Sequence, residues 1–313
     1  MLLRPAPAPP PPLDWRLLLR MTRPGFLLVT AAACALGLAS ASIRGDVDLP
    51  TALLTLLLAL MAHAGANVLN DYHDARNGAD AANEQGLFPF SGGSRLIQQG
   101  VVSEAVTGRW AAVLLLALIP AGLWLAAHSG PGLVLIGAVG LFVAWAYSAP
   151  PLALMSRGLG ELAVAGAWWL IVVGTDYVQR GAFAAAPALS GVGLALLVAN
   201  ILLVNGFPDA PADARVGKRT LVVRLGPRRA AQLYLGLALL AHGGLALAVD
   251  GHGLPPGALW GLLSLPAALG SALLLRRHGE QAQRLRPAIV LGIGAAVVHA
   301  LALAAGLAFS AAP

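Results

Sequence analysis

Charge is what this sequence has least of. Only 11% of its 313 residues are Asp, Glu, Lys or Arg, against about 25% in soluble domains. With 58% hydrophobic residues, an ordinary water-soluble globule is excluded. Cysteine occurs once, at Cys34 within an apolar run. That rules out an intramolecular disulfide and a thiolate metal cluster, and leaves Cys34 as a small packing residue. Lysine also occurs once, at Lys218. The stretch Pro5 to Pro12 lacks the apolar core and small-residue cleavage site of a signal peptide and reads as a disordered tail.

What the chain does have is long apolar runs. A spanning helix needs about 17–25 such residues, and nine runs qualify: 25–43, 50–70, 110–128, 131–148, 160–178, 186–206, 230–249, 256–275 and 287–309. The expected fold is an all-α integral membrane protein, a bundle of about nine transmembrane helices. Residues 1–23 are expected to form a disordered Pro-rich tail and a short interfacial helix (13–23), and 24–313 one transmembrane domain. The net charge of +6 would suit nucleic acid, but its placement argues against such a partner. Eighteen of the 20 basic residues fall in the amino-terminal segment and the loops after even-numbered spans, with Arg44 and Arg180 on the other side. The positive-inside rule then puts the amino terminus and those loops in the cytoplasm, in an inner (cytoplasmic) membrane.

Two acidic clusters close apolar runs on that cytoplasmic side. The first is Asn70-Asp71-Tyr72-His73-Asp74, followed by Asp80. The second is Asn205-Gly206-Phe207-Pro208-Asp209, then Asp213, with Lys218-Arg219 following. They fall in or beside two loops expected at roughly 71–109 and 207–229. A carboxylate inside a membrane costs about 2.5–3.5 kcal/mol on insertion scales, so two clusters imply a bound cation. Residues four apart share a helix face, which lets Asn70 and Asp74 present oxygens together. For the second cluster, Pro208 and Pro211 are expected to break or kink the sixth helix. An all-oxygen donor set suits Mg²⁺ and offers nothing soft for zinc or copper. Mg²⁺ commonly shares its coordination with substrate phosphates, and Lys218 and Arg219 supply donors for a diphosphate. The plainer reading of a single cluster is a solvated helix end; matched Asn-x-x-x-Asp spacing on one side argues against it. His73 reads as solvated, Arg224, Arg228 and Arg229 as anchors, and Tyr147 as either an interfacial belt residue or part of a substrate pocket. Asp176 and Arg180 read as a surface pair on the far side.

Together these residues resemble the UbiA superfamily of intramembrane aromatic prenyltransferases, over nearly the whole chain past residue 20. The motifs are Asn70-Asp71-x-x-Asp74 with Asp80, and Asp209-x-x-x-Asp213-x-x-x-Gly217-Lys218-Arg219-Thr220-Leu221. Gly78-Ala79-Asp80, Gly93-Ser94-Arg95, Tyr147-Ser148-x-Pro150-Pro151 and Arg157-Gly158-Leu159-Gly160-Glu161 are most similar to the 1,4-dihydroxy-2-naphthoate polyprenyltransferases of menaquinone synthesis. Gly78 stands where the 4-hydroxybenzoate branch usually has its third aspartate, which makes that branch the alternative. The resemblance implies a central cavity open to the cytoplasm and to lipid. It implies Mg²⁺-dependent transfer from polyprenyl diphosphate to an aromatic acceptor, with loss of carboxylate where that acceptor is dihydroxynaphthoate. Asn70, Asp74, Asp209 and Asp213 would hold two Mg²⁺, supported by Asp71 and Asp80. Lys218 and Arg95 would neutralise the departing pyrophosphate, and Tyr147, Arg157, Asn205 and Arg219 complete the expected substrate contacts. The loop Glu84 to Phe90 departs from the family text and is expected to form a lid. A secondary transporter is the remote alternative, favoured by intramembrane acids and proline-broken helices and opposed by their gathering at one face.

Overall fold

The computed structural model describes residues 13–311 except 44, 46 and 85. The expectations for Pro5 to Pro12 and Arg44, and Gln85 of the expected lid, lie outside the described residues. The interfacial segment forms α1 (Trp15–Met21), whose amino end is capped by the Asp14 carboxylate accepting from the Leu17 N–H at 2.8 Å. One face of α1 buries Leu17 and Met21 against Ala64, Val68 and Leu96, while Trp15 stays exposed.

The bundle follows as α2 (Pro24–Ser42), α3 (Leu49–Asn77), α4 (Ala79–Ala82), α5 (Glu104–Ser129), α6 (Gly132–Ser148), α7 (Gly160–Arg180), α8 (Ala185–Arg215) and α9 (Leu221–Asp250). A 3₁₀ stretch, Pro256–Ser264, runs into α10 (Leu265–His278), and α11 (Arg286–Ala311) ends the described chain. Among the described residues, eight helices are long and apolar enough to cross a membrane, counting the 3₁₀ stretch with α10, and α6 is a shorter apolar helix of 17 residues. Every apolar run read from the sequence falls, to within one residue, inside one of these elements, the 3₁₀ stretch again counted with α10.

Helix ends differ from the expectation, and the difference matters for the site. Residues 71–77 and 207–215 are helical rather than loop. Apolar length marks only the part of a helix that lipid requires; α3 continues on polar residues until Gly78, at φ 83°, ends it. Likewise α5 starts at Glu104, where the Ser103 hydroxyl accepts from the Val106 N–H. Pro208 and Pro211 do not break α8. Buried Phe207 and Ala212 tie that last stretch into the bundle, and the Arg215 guanidinium clasps the Ala82 and Pro211 carbonyls. The backbone does leave helical geometry in α9, at Gly226 (φ 74°, ψ 163°) ahead of Pro227.

The main core packs α8 against α2, α7, α9 and α11. Leu194, Leu197 and Ile201 meet Ala33, Leu36, Val172, Ala238 and Leu303. Cys34 of α2 is buried, as a packing residue would be. Small residues let backbones approach closely: a Cβ on Gly306 of α11 would collide with the Gly257 carbonyl. Asp176 and Arg180 are not a surface pair. Asp176 is 0% exposed, both its oxygens accept from Arg180 at 2.8 Å, and Arg180 also donates to the Ser40 carbonyl. A carboxylate facing the helix interior is held by its neutralising partner one turn on, which linear spacing alone does not reveal.

Candidate active site

α3 ends and α8 ends at the same face of the bundle, and each delivers its acidic cluster there. On α3, Asn70, Asp71, Asp74 and Asn77 stack on adjacent turns. The Asn70 amide donates to Asp74 Oδ2 at 3.0 Å and the Asn77 amide to Asp74 Oδ1 at 3.1 Å. On α8, unbroken helix puts Asp209 and Asp213 on one face as their spacing requires. Lys218 joins the two. Its Nζ lies 3.0 Å from Asp74 Oδ1 and 3.2 Å from Asp213 Oδ1, and its side chain is buried. Burial opposes the charge on Lys218, but Asp74 and then Asp213 outweigh it, and its pKa is raised.

The connection from α4 to α5 folds back over the acids. The Asn83 amide donates to Asp209 Oδ1 at 2.6 Å and the Gly92 N–H to Asp209 Oδ2 at 3.1 Å. The Ser94 N–H donates to Asp71 Oδ2 at 3.1 Å. Gly93 needs its missing side chain: its φ is 74°, and a Cβ there would stand 2.8 Å from Asp80 Oδ2. Phe90, Ser91, Gly92 and Gly93 line the cavity beneath; among the described residues of the segment expected as a lid, Phe90 alone does so, and the donors to the acids lie on either side of that segment. Arg95, itself at φ 64°, spends its guanidinium on the Asp80 and Asn83 carbonyls and lies over the Phe88 ring.

Arg23, the residue before α2, was not singled out for the site by the sequence. It takes a left-handed backbone (φ 54°) and ion-pairs with Asp71 Oδ1, reaching Asn70 Oδ1 at 3.4 Å. Non-glycine residues in that region are held there by their surroundings at a cost of about 1–3 kcal/mol, and both Arg23 and Arg95 carry that cost beside the acids. Asp80 is pushed up to about 8, first by burial and then by Asp74 and Asp71, against the pull of Arg23 and Lys218.

One cavity of about 680 Å³ begins at these groups and continues into the apolar bundle. Of the residues expected in the site, Asn70, Asp74, Asp80, Tyr147, Asn205, Asp209, Asp213 and Lys218 line it. Asp71 lies behind them, engaged by Arg23 and Ser94. Arg95, Arg157 and Arg219 do not line the cavity: Arg95 serves the overlying loop, Arg157 is exposed and holds the Pro151 carbonyl, and Arg219 is exposed. Further lining residues that sequence reasoning missed are Asn67, Asn83, Ser91 and Glu161. Asn67 had a signal, three residues before Asn70 on the same helical face. Arg23 and Asn83 had none, because their contacts cross the fold. Farther in, the walls are Leu58 and Ala62 of α3, Ile119 and Leu123 of α5, Ile136 and Leu141 of α6, and Ile171 and Val178 of α7.

The donor chemistry fits a hard divalent cation. Five carboxylates (Asp71, Asp74, Asp80, Asp209 and Asp213) meet two side-chain cations that reach them, Arg23 and Lys218. Asn205 Oδ1 lines the same cavity, buried and without a hydrogen-bond partner. All these donors are oxygens. Among the described residues no three acidic, histidine or cysteine side chains already converge on one point; Lys218 occupies the span between Asp74 and Asp213.

A family model described as UbiA prenyltransferase family matches residues 26–293. The 1,4-dihydroxy-2-naphthoate octaprenyltransferase of Mycobacterium tuberculosis (strain ATCC 25618 / H37Rv) is 36% identical over 270 residues, covering 82% of this chain and 85% of that one. The Escherichia coli (strain K12) protein of the same name is 31% identical over 257 residues, 80% of each chain. Among solved structures, a UbiA homolog from Archaeoglobus fulgidus bound to GPP and Mg²⁺ aligns with TM-score 0.59 at 20% identity, over 92% of this chain and 99% of that one. A digeranylgeranylglyceryl phosphate synthase aligns with TM-score 0.63 at 14% identity, over 94% and 98%.

Proposed function

The chain belongs to the UbiA prenyltransferase family, and from that premise we propose that it prenylates 1,4-dihydroxy-2-naphthoate with a long polyprenyl diphosphate, as menaquinone synthesis requires. It is a transferase that moves prenyl groups, set among membrane-crossing helices, and the family sets the transporter reading aside. The acceptor assignment rests on the relatives named for dihydroxynaphthoate, which match over four-fifths of the chain. The observation that carries the chemistry is one cavity with carboxylates and Lys218 at its mouth and aliphatic walls behind. Diphosphate belongs at the first and a polyprenyl tail along the second.

The residues divide the work accordingly. Asn70, Asp74, Asp209 and Asp213 would hold Mg²⁺, with Asn205 as a further oxygen and Asp71 and Asp80 in support. Such an ion supplies charge stabilisation to a departing diphosphate. Lys218 would turn one or more of its N–H bonds from the carboxylates to the diphosphate oxygens, donating more strongly as charge develops there. Asn83 and Gly92 orient Asp209, while Ser94 and Arg23 orient Asp71. Asn83 and the stretch Phe90 to Gly93 overhead, with the apolar walls, would keep water from the allylic centre, which would otherwise be captured as an alcohol. The gathering of basic residues on the side of the acidic mouth supports a cytoplasmic active site in an inner membrane.

The test is turnover in bilayer nanodiscs with Mg²⁺ and a long-chain prenyl diphosphate, offering dihydroxynaphthoate and 4-hydroxybenzoate in parallel. Prenylated naphthol with CO₂ release is expected. Product from hydroxybenzoate alone would overturn the acceptor assignment.

A further inference from the structure

One carboxylate that lines the cavity belongs to neither acidic cluster. Glu161 lies in the first turn of α7, on the cavity wall with Tyr147 of α6. The cluster carboxylates have partners: Asp74 has Lys218, Asn70 and Asn77, Asp213 has Lys218, Asp209 has Asn83 and Gly92, Asp71 has Arg23 and Ser94, and Asp80 accepts from the Gln98 amide at 3.5 Å. Their oxygens face donors, Lys218 or, on the reading above, the metal and diphosphate, so what sets Glu161 apart is its place outside both clusters. Among the described residues no side-chain donor or cation pairs with Glu161; its hydrogen bond comes from its own backbone N–H.

Its depth can be read from contacts between α3 and α7, which run antiparallel. At the far end Gln179 donates to Thr51 at 3.1 Å. Midway, Trp168 meets His63 edge-on with ring centroids 4.8 Å apart. At the mouth the Asn70 amide lies 3.1 Å from Met155 Sδ, and Gly160 packs on Met155. Seven residues toward the mouth from Trp168 is Glu161, and seven from His63 is Asn70; at about 1.5 Å per residue, both advance about 10 Å. Glu161 is therefore level with Asn70, at the depth where the diphosphate mouth gives way to the apolar tunnel. On the prenyl-transfer reading, with diphosphate at the mouth and the tail along the tunnel, the reacting carbon of a prenyl diphosphate would sit at that boundary.

We propose that Glu161 is the general base of the aromatic acceptor, an inference that rests on the prenyl-transfer reading above. As the allylic C–O bond breaks, its electron pair leaves on pyrophosphate. A ring carbon of the acceptor forms the new C–C bond with a π pair. The phenolic O–H proton passes to Glu161, and the O–H pair becomes the carbonyl of a dienone. With a hydroxynaphthoate, the C–CO₂ bond then breaks, its pair restores the ring, and the proton returns from Glu161 to the phenolate oxygen. No external oxidant or reductant is needed. Tyr147, His63 and Arg23 are the ionisable groups facing this part of the cavity from α6, α3 and the start of α2. Lys218 faces it from the α8–α9 connection, and Asp74, Asp80, Asp209 and Asp213 from the acidic mouth.

The experiment compares Glu161→Gln, Glu161→Asp and the parent chain in nanodiscs. It follows prenyl diphosphate binding, acceptor prenylation and the pH dependence of acceptor kcat/KM. Glu161→Gln should bind prenyl diphosphate within twofold of the parent and prenylate about 10²-fold more slowly or worse. The parent's low-pH limb should vanish in that variant. Its rate should instead rise with pH as the acceptor phenol ionises in solution, and its deficit should shrink with more acidic phenols. Glu161→Asp should keep the limb at reduced kcat, and this variant decides the matter if Glu161→Gln fails to fold. Prenylation by Glu161→Gln within threefold of the parent, or loss of the limb in Glu161→Asp, would overturn the proposal. Absence of aromatic prenylation in the parent would instead overturn the prenyl-transfer reading.

Discussion

At the far end of the bundle Asp176 is wholly buried, and Arg180 one turn later satisfies both its oxygens. At the mouth five carboxylates share Arg23 and Lys218. Both arrangements place acids on or just beyond membrane-crossing helices, yet the first is complete in itself and the second keeps an excess of negative charge. A structural carboxylate in lipid is neutralised by its own fold, because leaving it bare is costly. Carboxylates left in excess, with an unpartnered Asn205 oxygen beside them, are arranged for a cation that arrives with the substrate.

Substitutions can break this contrast from either side. The largest effect on catalysis is expected from Asp74→Ala or Asp213→Ala: about 10³-fold lower turnover, read by product formation in nanodiscs, with the fold retained. Lys218→Met comes next, at about 10²-fold in kcat. It leaves Asp74 and Asp213 facing each other uncompensated, so divalent cation should raise the thermal stability of this variant more than that of the parent. Asp176→Asn should show the opposite pattern. Arg180 loses its partner, stability falls by about 3 kcal/mol on denaturant titration, and kcat of the folded fraction stays within twofold. Gly93→Ala should cost about 1–2 kcal/mol, from its left-handed backbone and the clash with Asp80. Its activity loss should be partial and recover at lower temperature. Smallest is Arg157→Ala: the guanidinium is exposed and, among the described residues, bonds only to the Pro151 carbonyl, so kcat/KM should stay within threefold.

Much of this was legible in the chain. Apolar length locates each membrane-crossing helix though not its ends, since lipid imposes that length, and the Asn-x-x-x-Asp spacing finds both acidic faces. Legibility fails where contacts cross the fold. Asp176 reads as a surface residue because only tertiary packing turns it inward. Arg23 reads as a topology signal because its role depends on a left-handed turn that brings it to Asp71, 48 residues away. Pro208 and Pro211 predict a broken helix from local rules, but packing around Phe207 and Ala212 holds α8 together. Glu161 was visible in its motif, but that no side-chain cation among the described residues pairs with it was not, because that belongs to the assembled cavity.

The most direct test of the account compares Asp74→Asn, Asp213→Asn and Asp176→Asn in one prenyl-transfer assay, titrating Mg²⁺ against EDTA. The account predicts that parent turnover needs Mg²⁺, that Asp176→Asn keeps the parent's Mg²⁺ dependence, and that the two mouth variants lose turnover at every Mg²⁺ concentration. Undiminished product with EDTA, or from the mouth variants, would contradict it.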